Sequence, residues 1–216
     1  MKTVVGALLN FQDAWAALEP AMQREPHHRP PVHPVLYIKP ANTWRGPGED
    51  IVLPPEVEEI EVGATLGLVF GRAAARVREA DALSHLAGYV IVNDVTIPHT
   101  SLLRPPMRQK CRDSFCPIGP LRPLAQVTQV ASPDALSLRV SVNGVLCQTS
   151  NTATLRRGAA RLIADVSEFM TLSAGDVLLV GVAANPPRAR AGDHVSIEID
   201  GLGRLDNAVV REAGAA

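Results

Sequence analysis

The sequence predicts an α+β fold built on mixed β-sheets. Three observations carry this. Short apolar blocks recur between turn signals along most of the chain. Eighteen prolines and sixteen glycines, against only 4% aromatic residues, keep the elements short. The order is strand-rich with two or three helices, which favours α+β with mixed sheets. With 216 residues the chain is long enough to bury a substantial core. It is taken as a single domain, 1–216, with an N-terminal lobe at 1–60 and the main β-rich body at 61–210.

In chain order, residues 20–34 (PAMQREPHHRPPVHP) read as a loop, because proline supplies no donor to a ladder or helix. Its histidines read as solvated, since no regular element fixes a ligand spacing. VLYIKP (35–40) is a strand stopped by Pro40, and the turn-rich ANTWRGPGEDIVLPPE follows. EVGATLGLVFGR (61–72) reads as a strand ending at Gly71. Residues 78–87 read as a short helix closed by Gly88. GYVIVNDVT (88–96) is a buried strand with a polar end at Asn93 and Asp94. LSLRVSVNGVLCQTS (136–150) reads as a hairpin around Asn143-Gly144.

The one long helix is expected over 151–170. Leu155, Ala159, Leu162, Ile163, Val166, Phe169 and Met170 would share a face, with Thr152 or Thr154 as cap. LSAGDVLLVG and RARAGDHVSIEIDGLGRLDNAVV then give strands joined by Gly-Asp turns. Ala-Gly-Asp recurs at 174–176 and 191–193, which reads as one turn chemistry used twice rather than a repeat.

Composition narrows the function classes. Charged residues make up 20% and the net charge is −1, so neither nucleic acid nor an anionic membrane is expected as a partner. No apolar run reaches the roughly 18 residues of a membrane span. The apolar patch in MKTVVGALLNFQDAW is too short for a secretion signal, and Asp13 follows it closely. Three cysteines, an odd count, argue against a disulfide framework and for a reduced, cytoplasmic protein. No phosphate-loop, dinucleotide or serine-hydrolase motif is present.

MRQKCRDSFCPIGP (107–120) concentrates cysteines and cations. Cys111 and Cys116 lack a second ligand pair for zinc, since Cys147 is the only other cysteine and no spaced His pair follows. Pro117 and Gly119 favour an extended loop over the helix start of a redox pair. A catalytic thiol would need His85 or His99 as base. The plainer expectation is two small buried thiols. Arg104, Arg108, Lys110 and Arg112 allow two readings: a solvated loop, or a pocket for a carboxylate-rich substrate held by charge-assisted bonds. Asp113 would orient a cation or cap the loop.

Several phrases together resemble the fumarylacetoacetate hydrolase family: YIKP (37–40), GYVIVNDVT (88–96), KCRDSFCPIGP (110–120), VNGVLCQTSNT (142–152), SEFMTLSAGDVLLVG (167–181) and AGDHVSIEIDGLGRLDNAVV (191–210). The resemblance runs over nearly the whole chain. It implies a β-rich mixed-sheet fold of that family's type. It also implies Mg2+ or Mn2+ chelating a 2-oxo acid, so that electrons released by decarboxylation or deprotonation settle as an enolate. The branch it most resembles decarboxylates 5-carboxymethyl-2-oxo-hex-3-ene-1,7-dioate and isomerises 2-hydroxyhepta-2,4-dienedioate. Another 2-oxo acid, such as an acylpyruvate or oxaloacetate, is the further alternative. A homo- or hetero-oligomer with a homologous second-half subunit is implied as well.

The family's metal is held by an E-x-E phrase and the Asp of a later N-D phrase. Here Gly63 and Thr65 stand at the two glutamate positions, and only Asp94 remains. Glu61, two residues earlier on the same strand face, lies about 6–7 Å further along. The family's H-x-x-E base pair falls on Ala14 and Ala17, and its G-T-P phrase reads GVAANPP from Gly181. The metal is therefore expected to be weak or absent in this chain. The resemblance leaves Lys110 and Asp113 as catalytic candidates, Lys39, Arg108 and Arg112 as substrate-binding candidates, and Asp94 as a residual metal position. The same losses also fit a catalytically silent partner of a metal-competent homologue.

Overall fold

A computed structural model describes residues 2–25, 28–100 and 106–213. Arg104 of the cationic loop and His27 of the histidine-rich loop lie outside the described residues. Two mixed sheets form the body. The first has six strands, in the order Val35–Lys39, Val4–Leu8, Val177–Leu179, Ala64–Phe70, Leu86–Asn93, Arg122–Pro123. Only the Val4–Leu8 and Val177–Leu179 pair is parallel. The second has five, in the order Val145–Asn151, Ser137–Val142, His194–Ile199, Gly203–Arg211, Ile51–Leu53, again with one parallel pair, at its end. Strands from the first 60 residues and from the rest of the chain thus share both sheets.

The sheets pack through Leu66, Leu68, Leu138, Val140, Ile197 and Ile199, all essentially inaccessible. Alternate residues of the six-stranded sheet face a second apolar layer made by Val4, Val90, Val92, Val177, Leu179, Cys116 and Ile118. A sheet covered on both faces needs apolar residues at consecutive positions, which is why ATLGLVF and YVIV read as unbroken runs. Each such buried aliphatic side chain stabilises the fold by roughly 1.5–3 kcal/mol relative to exposure.

The hairpin forms as expected, with Asn143 and Gly144 left-handed at φ 52° and 78°. The repeated Ala-Gly-Asp phrase is one turn used twice. Asp176 Oδ2 accepts from the Ser173 amide at 2.7 Å, and Asp193 Oδ2 accepts from the Arg190 amide at 2.7 Å.

The helices differ from expectation. The helix expected over 151–170 is confined to Ala159–Ser167. Tertiary bonds claim its first turns: the Arg156 amide donates to Asn10 O at 2.7 Å and the Arg157 amide to Asn10 Oδ1 at 3.1 Å. The helix starts at Gly158, and Asp134 Oδ1, not a threonine, accepts from the Ala159 amide. Thr152 instead accepts from the Leu136 amide at 2.8 Å. Leu162, Ile163 and Val166 are buried, but Phe169 lies past the helix end and is 67% exposed.

The longest helix is N-terminal, Gln12–Met22, and runs through Pro20, so the loop begins later than the proline suggested. The Trp15 ring on this helix carries the Arg156 guanidinium 3.2 Å above its centre. Residues 79–85 form a 3-10 turn. Gly88 does not close a helix; it pairs with Pro123 inside the strand Leu86–Asn93. No helix among the described residues is long and apolar enough to cross a membrane.

Candidate active site

The site forms where three elements meet. Val35–Lys39 is an edge strand, so alternate residues Tyr37 and Lys39 point inward, while Ile38 points out and is 51% exposed. Asp94 follows the strand Leu86–Asn93 and is pinned by its amide, which donates to Gly63 O at 2.8 Å. Lys110 ends the one-turn helix Met107–Lys110 and points inward.

Asp94 is the hub. Lys110 Nζ donates to Asp94 Oδ2 at 2.7 Å and to Thr96 Oγ1 at 2.7 Å. The Tyr37 hydroxyl donates to the same Oδ2. Lys39 Nζ lies 2.9 Å from Asp94 Oδ1. Yet its three protons go to the carbonyls of Val95, Lys110 and Phe115, at 2.7, 2.8 and 2.8 Å. Oδ1 is therefore charge-paired but accepts no hydrogen bond. The third proton of Lys110 faces the Tyr37 ring, whose centre is 4.5 Å from Nζ.

Charge states follow from this geometry. Burial would raise the Asp94 pKa, but Lys110 and Lys39 together outweigh it and bring it down to about 2. Burial pushes the Lys110 ammonium below the usual lysine range, and Asp94 opposes this. Burial, reinforced by Asp94, holds Tyr37 well above the usual phenol range, so it carries its proton.

A cavity of about 510 Å3 opens onto this cluster. Tyr37, Asp94, Thr96 and Lys110 line one part of it, with Glu61, His99 and Arg188 elsewhere in its wall. Ala14 and Ala17, where the resemblance puts the family's base pair, also line it and present only methyl groups. Glu61 Oε1 pairs with Arg188 at 3.2 Å, and burial raises the Glu61 pKa.

The residues do not fit a hard divalent ion. Three groups already crowd the Asp94 carboxylate, two of them cations. A Cβ added at Gly63 would lie 2.4 Å from Asp94 O, so the backbone leaves no room for a ligand side chain there. Thr65 is fully buried and its Oγ1 has no partner. Among the described residues, no three His, Cys, Asp or Glu side chains converge.

Of the residues singled out in the sequence, Lys39, Asp94 and Lys110 come together. Arg108, Arg112 and Asp113 do not join them. Arg108 is exposed, Arg112 pairs with Glu56 at 2.8 Å, and exposed Asp113 accepts from Asn42 at 2.7 Å. The single helical turn sends Lys110 inward and its neighbours outward. Cys116 is buried, and burial pushes its thiol up to about 12; Cys111 is only half-buried. Sequence reasoning missed Tyr37, Thr96 and Arg188. Alternation with Lys39 marks Tyr37, whereas nothing local marks Arg188.

Residues 3–210 match the family described as Fumarylacetoacetate (FAA) hydrolase C-terminal, and the chain belongs to it. It is 40% identical to the 4-hydroxyphenylacetate degradation bifunctional isomerase/decarboxylase of Escherichia coli over 97% of this chain and 47% of that protein. The chain thus spans about half the length of such curated relatives. A crystal structure of 5-carboxymethyl-2-hydroxymuconate delta-isomerase from Mycobacterium smegmatis superposes with a TM-score of 0.80 at 31% identity, covering 99% of this chain and 80% of that one. Fumarylpyruvate hydrolase from Pseudomonas aeruginosa, solved with Mn2+ and pyruvate, shares the fold at 24% identity and a TM-score of 0.84, covering 98% and 91%.

Proposed function

We propose that this chain is a subunit of the isomerase/decarboxylase system of 4-hydroxyphenylacetate (homoprotocatechuate) breakdown, and that its own pocket performs a proton shift without a bound metal. The substrates would be 5-carboxymethyl-2-oxo-hex-3-ene-1,7-dioate and 2-hydroxyhepta-2,4-dienedioate. The observation that carries this is Lys110: a buried ammonium held in the cavity wall by Asp94.

Keto–enol interconversion needs the oxygen at C2 stabilised as charge develops, and a proton moved between that oxygen and carbon. An ammonium in a poorly solvated site meets the first need. The neutral Tyr37 phenol, linked through Asp94 to Lys110, supplies a proton path for the second. The shift is internal to the substrate and requires no added water. Lys39 and Lys110 face the single Asp94 carboxylate, and this excess of positive charge at the buried end favours an anionic ligand.

A second reading is favoured by Ala14, Ala17 and Gly63: a silent half that supports a metal-competent homologue. One assay separates them. The dienol absorbance of 2-hydroxyhepta-2,4-dienedioate is followed with the purified chain, in EDTA and in Mn2+, before and after adding a homologous second half. The proton-shift reading expects decay by the chain alone, equal in both buffers. Decay only after the second half is added supports the silent reading.

A further inference from the structure

The cavity wall carries an ordered row of side chains that starts at the network around Asp94 and runs outward from it. Glu61 and Thr96 face each other across an antiparallel bridge, with the Glu61 amide donating to Thr96 O at 2.8 Å and the Thr96 amide to Glu61 O at 3.3 Å. On its other side Glu61 is registered opposite Arg188, in the two-stranded pair Glu59–Glu61 and Arg188–Arg190. Directly opposed residues of an antiparallel sheet send their side chains to the same face. Thr96, Glu61 and Arg188 therefore form one row, and all three line the cavity.

The charges along the row are ordered. Lys110 Nζ sits on Thr96 Oγ1 at 2.7 Å, at the buried end, where its side chain is 8% exposed. Arg188 is at the open end, 45% exposed, and pairs with Glu61 Oε1 at 3.2 Å and Glu59 Oε1 at 3.9 Å. The two ends of the row, Thr96 and Arg188, are two strand spacings apart, about 10 Å between Cα atoms. A carboxylate, Glu61, already occupies the space between the two cations.

We infer that Arg188 is the specificity-determining residue of this pocket. It exchanges Glu61 for the far carboxylate of a linear dicarboxylate whose near end lies against Lys110. The row then selects ligands by length: a short diacid reaches one cation, a longer one both. A guanidinium suits this exchange, because its fork can release one carboxylate and take another with the same paired geometry. Glu61 holds Arg188 in place in the empty pocket. This inference rests on the pocket being an anion site, as proposed above, but not on turnover.

The test is calorimetric titration of the intact chain with succinate, glutarate, adipate and pimelate, and with heptanoate as the single-carboxylate control. Affinity should rise with diacid length and exceed that of heptanoate. Arg188→Ala should weaken pimelate by roughly tenfold or more and leave heptanoate unchanged. Arg188→Lys should restore part of the difference. Glu61→Gln should tighten pimelate, whereas a merely structural bridge would leave affinity unmoved. Thermal melts identify any variant that fails to fold, and Arg188→Lys then carries the comparison. Equal affinity across the diacids, or an Arg188→Ala profile matching the parent, overturns the inference. Length selection without any dienol decay would instead retain it and remove the isomerase reading.

Discussion

Lys110 Nζ and Asp94 Oδ2 lie 2.7 Å apart in a place where the lysine side chain is 8% exposed and the aspartate 1%. An ion pair so far from water is held by its whole shell: Thr96 on the lysine, Tyr37 and Lys39 on the carboxylate. Removing one member leaves the others buried with a charge or a hydrogen bond less well matched.

Lys110→Met should therefore cost stability as well as chemistry. Breaking a buried pair costs about 3 kcal/mol, at the lower end because Lys39 and Tyr37 still face Asp94. Urea unfolding measures this. The proposed dienol decay should fall by at least about a hundredfold, the usual size of a lost proton-transfer or oxyanion group. An unchanged rate in a folded variant would remove Lys110 from the chemistry.

Stability should fall on both sides of neutrality, for separate reasons. The folded pKa of Asp94 is lowered to about 2. Its contribution is present above the unfolded carboxylate pKa and disappears as pH falls through the folded value. The window runs from about pH 4 to pH 2, and the loss is about 2 kcal/mol. Tyr37 is shifted the other way. A raised folded pKa means that its contribution is intact below the phenol's ordinary value of about 10 and declines as pH rises beyond it. Denaturant midpoints across pH should show an acid limb that Asp94→Asn removes and an alkaline limb that Tyr37→Phe removes.

Placing glutamates at 63 and 65, where the resemblance puts the family's E-x-E phrase, should not create a tight metal site. In Gly63→Glu/Thr65→Glu the new Cβ at 63 would meet Asp94 O at 2.4 Å, and Asp94 would remain bound to Lys110 and Lys39. Mn2+ titration followed by electron paramagnetic resonance should show little binding at micromolar metal, in the parent and in the double variant. Adding Lys110→Gln to the pair should raise Mn2+ affinity, since it removes one of the two cations that compete for the Asp94 carboxylate.

Gly6→Ala should disturb the site from behind. A Cβ at residue 6 would lie 2.1 Å from Tyr37 Cζ, so the ring must move away from Asp94. Overpacking of this kind costs about 1–3 kcal/mol. Combined with Tyr37→Ala, which opens the space, the penalty should shrink. Additive losses in a double-mutant cycle would mean that the two positions do not communicate.

The sequence by itself determined much of this protein. Alternation and unbroken apolar runs marked the strands, Asn143-Gly144 marked the hairpin, and Ala-Gly-Asp marked two equivalent turns, because each depends on residues adjacent in the chain. It also marked Lys39, Asp94 and Lys110, which the fold brings together. Tertiary structure decided the rest. Asn10 claimed amides that local propensity assigned to a longer helix. One helical turn sent Lys110 to the cavity and left Arg108, Arg112 and Asp113 outside it. Arg188 became part of the site only because its strand pairs with Glu59–Glu61, a register set by contacts distant in sequence. Local patterns encode which way a side chain points along its own element, whereas which other element it then meets is fixed only when the sheets pair and close.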